Sequence, residues 1–328
     1  MLSNSRLVSM HRNDHRGRKS DLSDLSDLSD AKIQRQRTRM KNFRYDTTGK
    51  WYKGNVHLHT RASDGGNELR ELAELYASAG YDFLFCTDHG IASDFAGEDQ
   101  IYPLLWMEGI EIDGEDREGT FYHVVCLGTV NGINSDDDFE DKLASVRRQG
   151  ALLMVAHPFW SGNTLADCLR WDFDAVEIYN HLCHWLNGKS DGMIHWHALL
   201  ESNPNTLAFA SDDIHSSDLW QGGWIHVNAR KPTRDEIVRN IRSGNFYSSC
   251  GPRIDSINLE GDCIHVETSP VQFARLVGPA DAGDRVGLPG EKPLTELCFK
   301  IPEKWPYVYV EIEDENGKRA WTNCLFKH

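Results

Sequence analysis

Apolar residues between positions 51 and 251 fall into two alternating patterns. Residues 82–87 (DFLFCT) and 151–156 (ALLMVA) are continuously apolar, as in strands covered on both faces. Residues 67–79 instead carry Leu69, Leu72, Ala73, Tyr76 and Ala79 at helical spacing, with Gly80 as a stop. Further helices are predicted over 138–148, ended by Gly150, and over 191–202. A capping box of Thr233 and Glu236 opens another, which closes near Gly244. Residues 53–60, 107–113, 122–127, 175–179 and 207–211 read as strands. Such alternation predicts parallel strands joined by crossover helices, an α/β barrel or a doubly wound sheet.

Beyond Gly251 the pattern changes. Short strand-like runs at 254–260, 264–268, 272–277, 296–301, 307–313 and 320–326 are punctuated by Gly, Pro and Asp, with no helical stretch. They predict a small antiparallel β module over 252–328. Residues 1–41 differ again, with ten basic against five acidic residues and three Ser-Asp-Leu repeats. Leucines three apart with Ser and Asp between them build no packed face, so this segment is expected to be a disordered tail. The main domain is then 42–251.

Composition narrows the function. The 328 residues carry a formal charge of -15, which argues against stable nucleic-acid binding. No apolar run reaches the ~18–20 residues of a membrane helix, and the N-terminus lacks the apolar core of a secretory signal. A cytoplasmic protein is expected. The eight cysteines form no CxxC pair, so they read as buried or free thiols without a structural zinc knuckle. The 15 histidines are the unusual count, and imidazole is the commonest metal ligand among side chains.

Their placement is specific. His57-Leu58-His59 lies on a predicted strand, where residues two apart point to the same side. Both rings can therefore meet one ion. His195-Trp196-His197 has the same spacing on a predicted helix, where residues two apart diverge by ~200°. That pair is not expected to share an ion. Asp88-His89, Glu111, His157 and Asp213-Ile214-His215 each follow an apolar strand, at the carboxyl end where α/β folds build their sites. His123 sits at the beginning of a strand instead. His226 reads as structural, and His181 and His184 as solvated side chains at a helix start. Trp160 reads as core or as a ring-stacking platform.

These motifs (HLHT, TDH, the Glu of GIEI, the His of YHVV, the His of AHP and the DxH of DDIH) resemble the PHP superfamily of polymerase and histidinol phosphatase domains, over about residues 51–251. The resemblance implies a distorted (β/α)7 barrel holding two to three divalent ions of Zn, Mn or Fe. It implies a first ion on His57, His59, Glu111 and Asp213. Glu111 would bridge to a second on His123 and His157, and a third would sit on Asp64, His89 and His215. Asp88 would orient His89 or shuttle a proton. NFYSSCGP and the terminal AWTN are similar to a branch grouped with bacterial carbaryl hydrolase, with Cys250 and Cys324 in place of a Thr and a Pro.

A metal-bridging hydroxide would then attack a small phosphorylated compound or nucleotide. Arg61, directly after HLHT, is a candidate for a phosphate oxygen. No GxSxG, P-loop or GxGxxG competes with this reading. The alternatives are a metal-dependent carbamate or carboxylic ester hydrolase, and a non-catalytic metal-stabilised binding protein. The ligands do not separate the first two, and oligomeric state is not legible.

Overall fold

A computed structural model describes residues 42–95, 103–134, 136–302 and 304–328. The expectation for residues 1–41 lies outside the described residues. Sixteen strands are numbered in chain order. β1 (Lys50–Asn55), β2 (Phe83–Cys86), β3 (Leu105–Glu115), β4 (Phe121–Leu127), β5 (Leu152–Val155), β6 (Ala175–Asn180), β7 (Leu207–Ser211), β8 (Trp224–Ala229) and β9 (Phe246–Ser249) precede residue 252. β10 (Ile254–Glu260), β11 (Cys263–Val271), β12 (Phe273–Val277), β13 (Gly283–Val286), β14 (Leu294–Lys300), β15 (Tyr309–Glu313) and β16 (Arg319–Thr322) follow it.

Thirteen strands form one sheet in the order β13-β12-β15-β16-β9-β8-β1-β2-β3-β4-β5-β6-β7. Every residue of β2, β5 and β7 is buried, as their continuous apolar runs require. The helix Leu69–Ser78 buries Leu72, Ala73 and Tyr76, and its first turn is closed by a reciprocal Glu68–Glu71 capping box. The helix Arg234–Ser243 is capped by Thr233 and ends at left-handed Gly244. Both were readable from side-chain spacing.

Two expectations are corrected. The first is uniform parallel pairing. β1-β2-β3 and β5-β6-β7 are parallel, but β4 runs antiparallel to both β3 and β5. Five residues join β3 to β4, too few for the dozen or more of a parallel crossover. The second is the (β/α)7 barrel, because the sheet does not close. Beyond β1 the chain meets the stretch after β7 through the isolated parallel bridge Leu58–Ile214 and the bond from Gly66 N to His215 O at 2.7 Å, without a continuous ladder. There His59 N donates to Ile214 O at 3.2 Å and Asp213 N to His57 O at 3.0 Å. Asp213, at the start of this stretch, has φ 54°.

From residue 252 onward the strands divide between two sheets. β12, β13, β15 and β16 extend the large sheet, while β10-β11-β14 form a separate antiparallel sheet. One face of that small sheet packs Ile257, Ile264, Val266, Leu297 and Phe299 into a shared core with Val310 and Ile312. No helix among the described residues is long and apolar enough to cross a membrane.

Candidate metal centre

The parallel strands deliver polar residues to one end of the large sheet. His57 and His59 follow β1, His89 follows β2, His157 follows β5, and Asp213 and His215 follow β7. Glu111 lies within β3. The antiparallel turn of the chain explains His123: the start of β4 lies at the same end, with His123 directly opposite Asp113 of β3.

At the centre stand four donors, His57 Nε2, His59 Nε2, Glu111 Oε2 and Asp213 Oδ1. Each imidazole nitrogen lies 3.1 Å from Glu111 Oε2, and 3.3 Å (His57) or 3.2 Å (His59) from Asp213 Oδ1. Separations of this length suit donors that share an ion at about 2 Å. His57, His59 and Glu111 form one group with donor atoms within 4.8 Å of one another, and His57, His157 and Asp213 form an adjoining one. All four side chains are nearly or fully buried. His59 Nε2, His59 Nδ1 and Asp213 Oδ1 are buried without a hydrogen-bond partner. Unpartnered buried polar atoms are costly, and a cation is what these have in common. The donor set fits a divalent ion.

Two further groups adjoin it. His123 Nδ1 lies 2.9 Å and His157 Nε2 3.6 Å from Glu111 Oε1, the other oxygen of the shared carboxylate. His157 Nε2 is also 3.8 Å from Asp213 Oδ2. Asp64, His89, His215 and the far nitrogen of His59 make the third group, with His215 Nε2 3.3 Å from Asp64 Oδ2 and His59 Nδ1 3.6 Å from Asp64 Oδ1. Burial falls along this series. The side chain of Glu111 is 1% exposed, that of His215 27%, and that of Asp64 54%. The centre therefore opens to solvent at Asp64.

Two ligand positions sit on unusual backbone. His157 has φ 26° and Asp213 φ 54°, both on the left-handed side that non-glycine residues rarely adopt. Such conformations persist where the surroundings over-determine them, commonly at functional sites.

Sequence reasoning missed the residues that aim the rings. Glu177 of β6 is fully buried and accepts from His57 Nδ1 at 3.0 Å and His157 N at 2.7 Å. It also accepts from Asn180 Nδ2 at 2.9 Å and from the Ser211 hydroxyl. This fixes the His57 proton on Nδ1 and leaves Nε2 free to ligate. Asp113 faces His89 Nδ1 at 3.1 Å, Ser161 Oγ faces His157 Nδ1 at 3.1 Å, and the Asp213 carbonyl faces His215 Nδ1 at 2.9 Å. A lone carboxylate inside AVEIYN, a residue type that is rarely buried unpaired, was the available signal for Glu177.

Asp88 and Arg61 are placed apart from the donors. Asp88 accepts from Thr60 N and Thr60 Oγ1 at 2.7 Å, from Ser63 Oγ at 2.6 Å and from Cys86 Sγ at 3.2 Å. It pins the loop after His59, and these bonds hold its pKa below the ordinary value although burial opposes them. The Arg61 guanidinium is exposed and reaches Gly66 O at 2.9 Å, Glu68 at 3.3 Å and Glu71 at 3.8 Å. It is thus directed at a helix start, where the nearby carboxylates draw it. Trp160 is no core residue: it is 37% exposed, its ring edge-on to His157 at 5.1 Å and His123 at 6.0 Å. Phe121, 43% exposed, flanks His123 from another side at 5.3 Å.

Electrostatics agree with a cationic centre. Burial disfavours charge on His57, but Asp213, Glu111 and Glu177 outweigh it and hold the ring well above its ordinary pKa. For His59 burial is outweighed by Asp213 and Glu111, which raise it to about 9. Burial alone would raise Glu111 and Asp213, yet His57 and the other rings pull both carboxylates well down. The carboxylates thus demand compensating positive charge, from protons or from metal.

No family model matches the sequence, and no curated protein matches it. Among solved structures, the chain is similar to a two-domain protein from Bacteroides vulgatus containing a predicted PHP-like metal-dependent phosphoesterase. That likeness has 14% identity, covers 87% of this chain and 98% of the other, and has a TM-score of 0.48. It is also similar to PsfC from Pseudomonas syringae, with 16% identity, coverage of 59% and 88%, and a TM-score of 0.42.

Proposed function

We propose that the protein is a metal-dependent hydrolase of the PHP kind, acting as a phosphoesterase on a small phosphorylated compound or nucleotide. The observation that carries the reading is the buried cluster in which the His57 and His59 rings both face Glu111 and Asp213, with Glu111 shared toward His123 and His157. Two or three divalent ions, of zinc, manganese or iron, would be held there and on Asp64, His89 and His215. When bound, such ions polarise an ester oxygen and lower the pKa of water toward neutrality.

The chain supplies the rest. Glu177, Asp113 and Ser161 fix the rings, so the ligating nitrogens need no reorganisation. Asp88 holds the loop carrying Asp64 by its bonds to Thr60 and Ser63. Asp64, His89 and His215 line the open side, where substrate enters. Trp160 and Phe121 offer exposed apolar rings beside His123, suited to the organic part of the substrate.

A second reading has one observation in its favour. Arg61 is engaged with Glu68 and Glu71, so it does not serve a phosphate where it stands. Without that cation a neutral carbamate or carboxylic ester fits the same donors. Turnover of a generic aryl phosphate against a naphthyl carbamate, with Mn or Zn supplied to the full chain, separates the two. Phosphate turnover dominating by tenfold or more supports the phosphoesterase, and the reverse order overturns it.

A further inference from the structure

The outer face of the small sheet carries a second donor group, remote in sequence from the histidine centre. Cys263 and His265 stand two apart on β11, so their side chains leave the same face. In the antiparallel pairing of β11 with β14, His265 is directly opposite Cys298, and Cys263 is opposite Lys300. The inward residues between them, Ile264, Val266, Leu297 and Phe299, are buried. This turns Cys263, His265 and Cys298 outward together, and one donor atom from each lies within 4.8 Å of the other two. Cys298 Sγ is 4.0 Å from His265 Nε2.

We propose that Cys263, His265 and Cys298 form a surface site for a single thiophilic cation of the zinc class. Zinc–sulfur bonds of about 2.3 Å and zinc–nitrogen bonds of about 2.0–2.1 Å put tetrahedral donors roughly 3.5–3.8 Å apart. The observed pair needs only a small rotamer adjustment to reach that spacing. Two thiolates and an imidazole select zinc or another soft cation over magnesium, calcium or manganese. Glu260 Oε2, 3.7 Å from His265 Nε2, and Asp262 Oδ1, 3.9 Å from Cys263 Sγ, stand next to the open fourth position. Lys300 is the opposing charge on this face; it is drawn to Asp262 at 3.9 Å and is largely solvated. The ion would tie the β10–β11 hairpin to β14. The cysteine spacing hides this site in the sequence, because β-pairing rather than a CxxC turn brings the thiols together.

The site has its own signature. None of the donor groups at the large sheet contains a sulfur atom, among the described residues. Titration of the reduced, metal-free full chain with Cd²⁺ and with Co²⁺ should produce a thiolate-to-metal charge-transfer absorption whose amplitude at saturation corresponds to one thiolate-bound ion per chain. Cys263→Ser or Cys298→Ser should abolish that band and leave the sulfur-free equivalents bound. His265→Ala should weaken it by tenfold or more. A reduced chain that shows no band overturns the proposal, as does a band that survives in the double serine variant. A mass two hydrogens low before reduction, mapped by digestion to a Cys263–Cys298 bond that persists in the chain as isolated, would mean a cross-strand disulfide instead and also overturn it.

Discussion

His57-Leu58-His59 and His195-Trp196-His197 have the same spacing and opposite fates. The first pair lies on extended chain just past β1, and both rings point at Glu111 Oε2 and Asp213 Oδ1. The second lies on the helix Met193–Ser202, where His195 Nε2 meets Asn163 O at 2.9 Å and His197 Nε2 meets the Tyr309 hydroxyl at 2.8 Å. Those partners belong to different parts of the chain, as a helical divergence of ~200° requires. The intervening residue is buried in both pairs, so apolar context does not distinguish them. Backbone period does. A motif of two histidines becomes a metal-site motif only through the secondary structure that carries it.

The strongest way to break the comparison is to remove a donor. His57→Ala or Asp213→Ala should abolish nearly all hydrolase activity and lower the metal content. Wild-type protein purified without chelator should hold more than one equivalent of divalent metal by elemental analysis, and each variant measurably less. A value consistently below one in active wild-type protein would defeat a multinuclear centre.

Removing the residue behind a donor is a smaller step. Glu177→Gln keeps the size of the side chain but loses the carboxylate that sets the His57 tautomer. Losses at such outer partners run to ~10–100-fold in affinity or activity. The variant should lose activity in that range and regain part of it at high metal concentration. Saturating metal would restore nothing if Glu177 acted only on the fold.

Glu177 also marks where legibility ended. Most candidate donors were legible because they follow an apolar run; Glu111 lies within β3, His123 near the start of β4 and Asp64 on the loop after His59. Glu177 lies inside β6, where continuous burial erases the alternation that would have singled it out. The helices at 69–78 and 234–243 were readable from period and caps. The antiparallel excursion of β4 and the open sheet were not, because pairing direction is set by long-range contacts and short connections. The sequence leaves Trp160 open between core and surface for a similar reason: it lies on the short helix Pro158–Ser161, and four residues carry no measurable period.

A buried histidine outside the centre sharpens the contrast in another currency. His226 on β8 faces no carboxylate. Burial, with Lys53 and Arg253 adding repulsion, lowers its pKa to about 3, and Trp224 Nε1 donates to its Nε2 at 3.0 Å. The folded chain keeps this ring neutral while the unfolded chain protonates it near pH 6.5. Its contribution to stability is therefore intact above pH 6.5 and is lost progressively as pH falls toward 3. His226→Gln keeps an acceptor for Trp224 and does not titrate. Denaturant midpoints of the variant should fall less steeply between pH 6.5 and pH 4 than those of the wild type. Parallel slopes would mean that His226 is not held neutral.

The smallest effect is expected at the helical pair, and it tests the period argument most directly. His195 is buried against a backbone carbonyl, and His197 is hydrogen-bonded to Tyr309 within a ring cluster. Each substitution to Ala removes one hydrogen bond and leaves a partner unsatisfied, which costs about 1–3 kcal/mol of stability. Neither ring reaches a carboxylate of the centre in any of the donor groups. His195→Ala and His197→Ala should therefore lower the denaturation midpoint while metal content stays unchanged and kcat/KM stays within a few-fold. The two readouts separate a structural histidine from a ligand, because a lost ligand changes metal content at any stability. Metal loss equal to that of His57→Ala would mean that the helix does not set the direction of these rings, and that spacing alone had been the better guide.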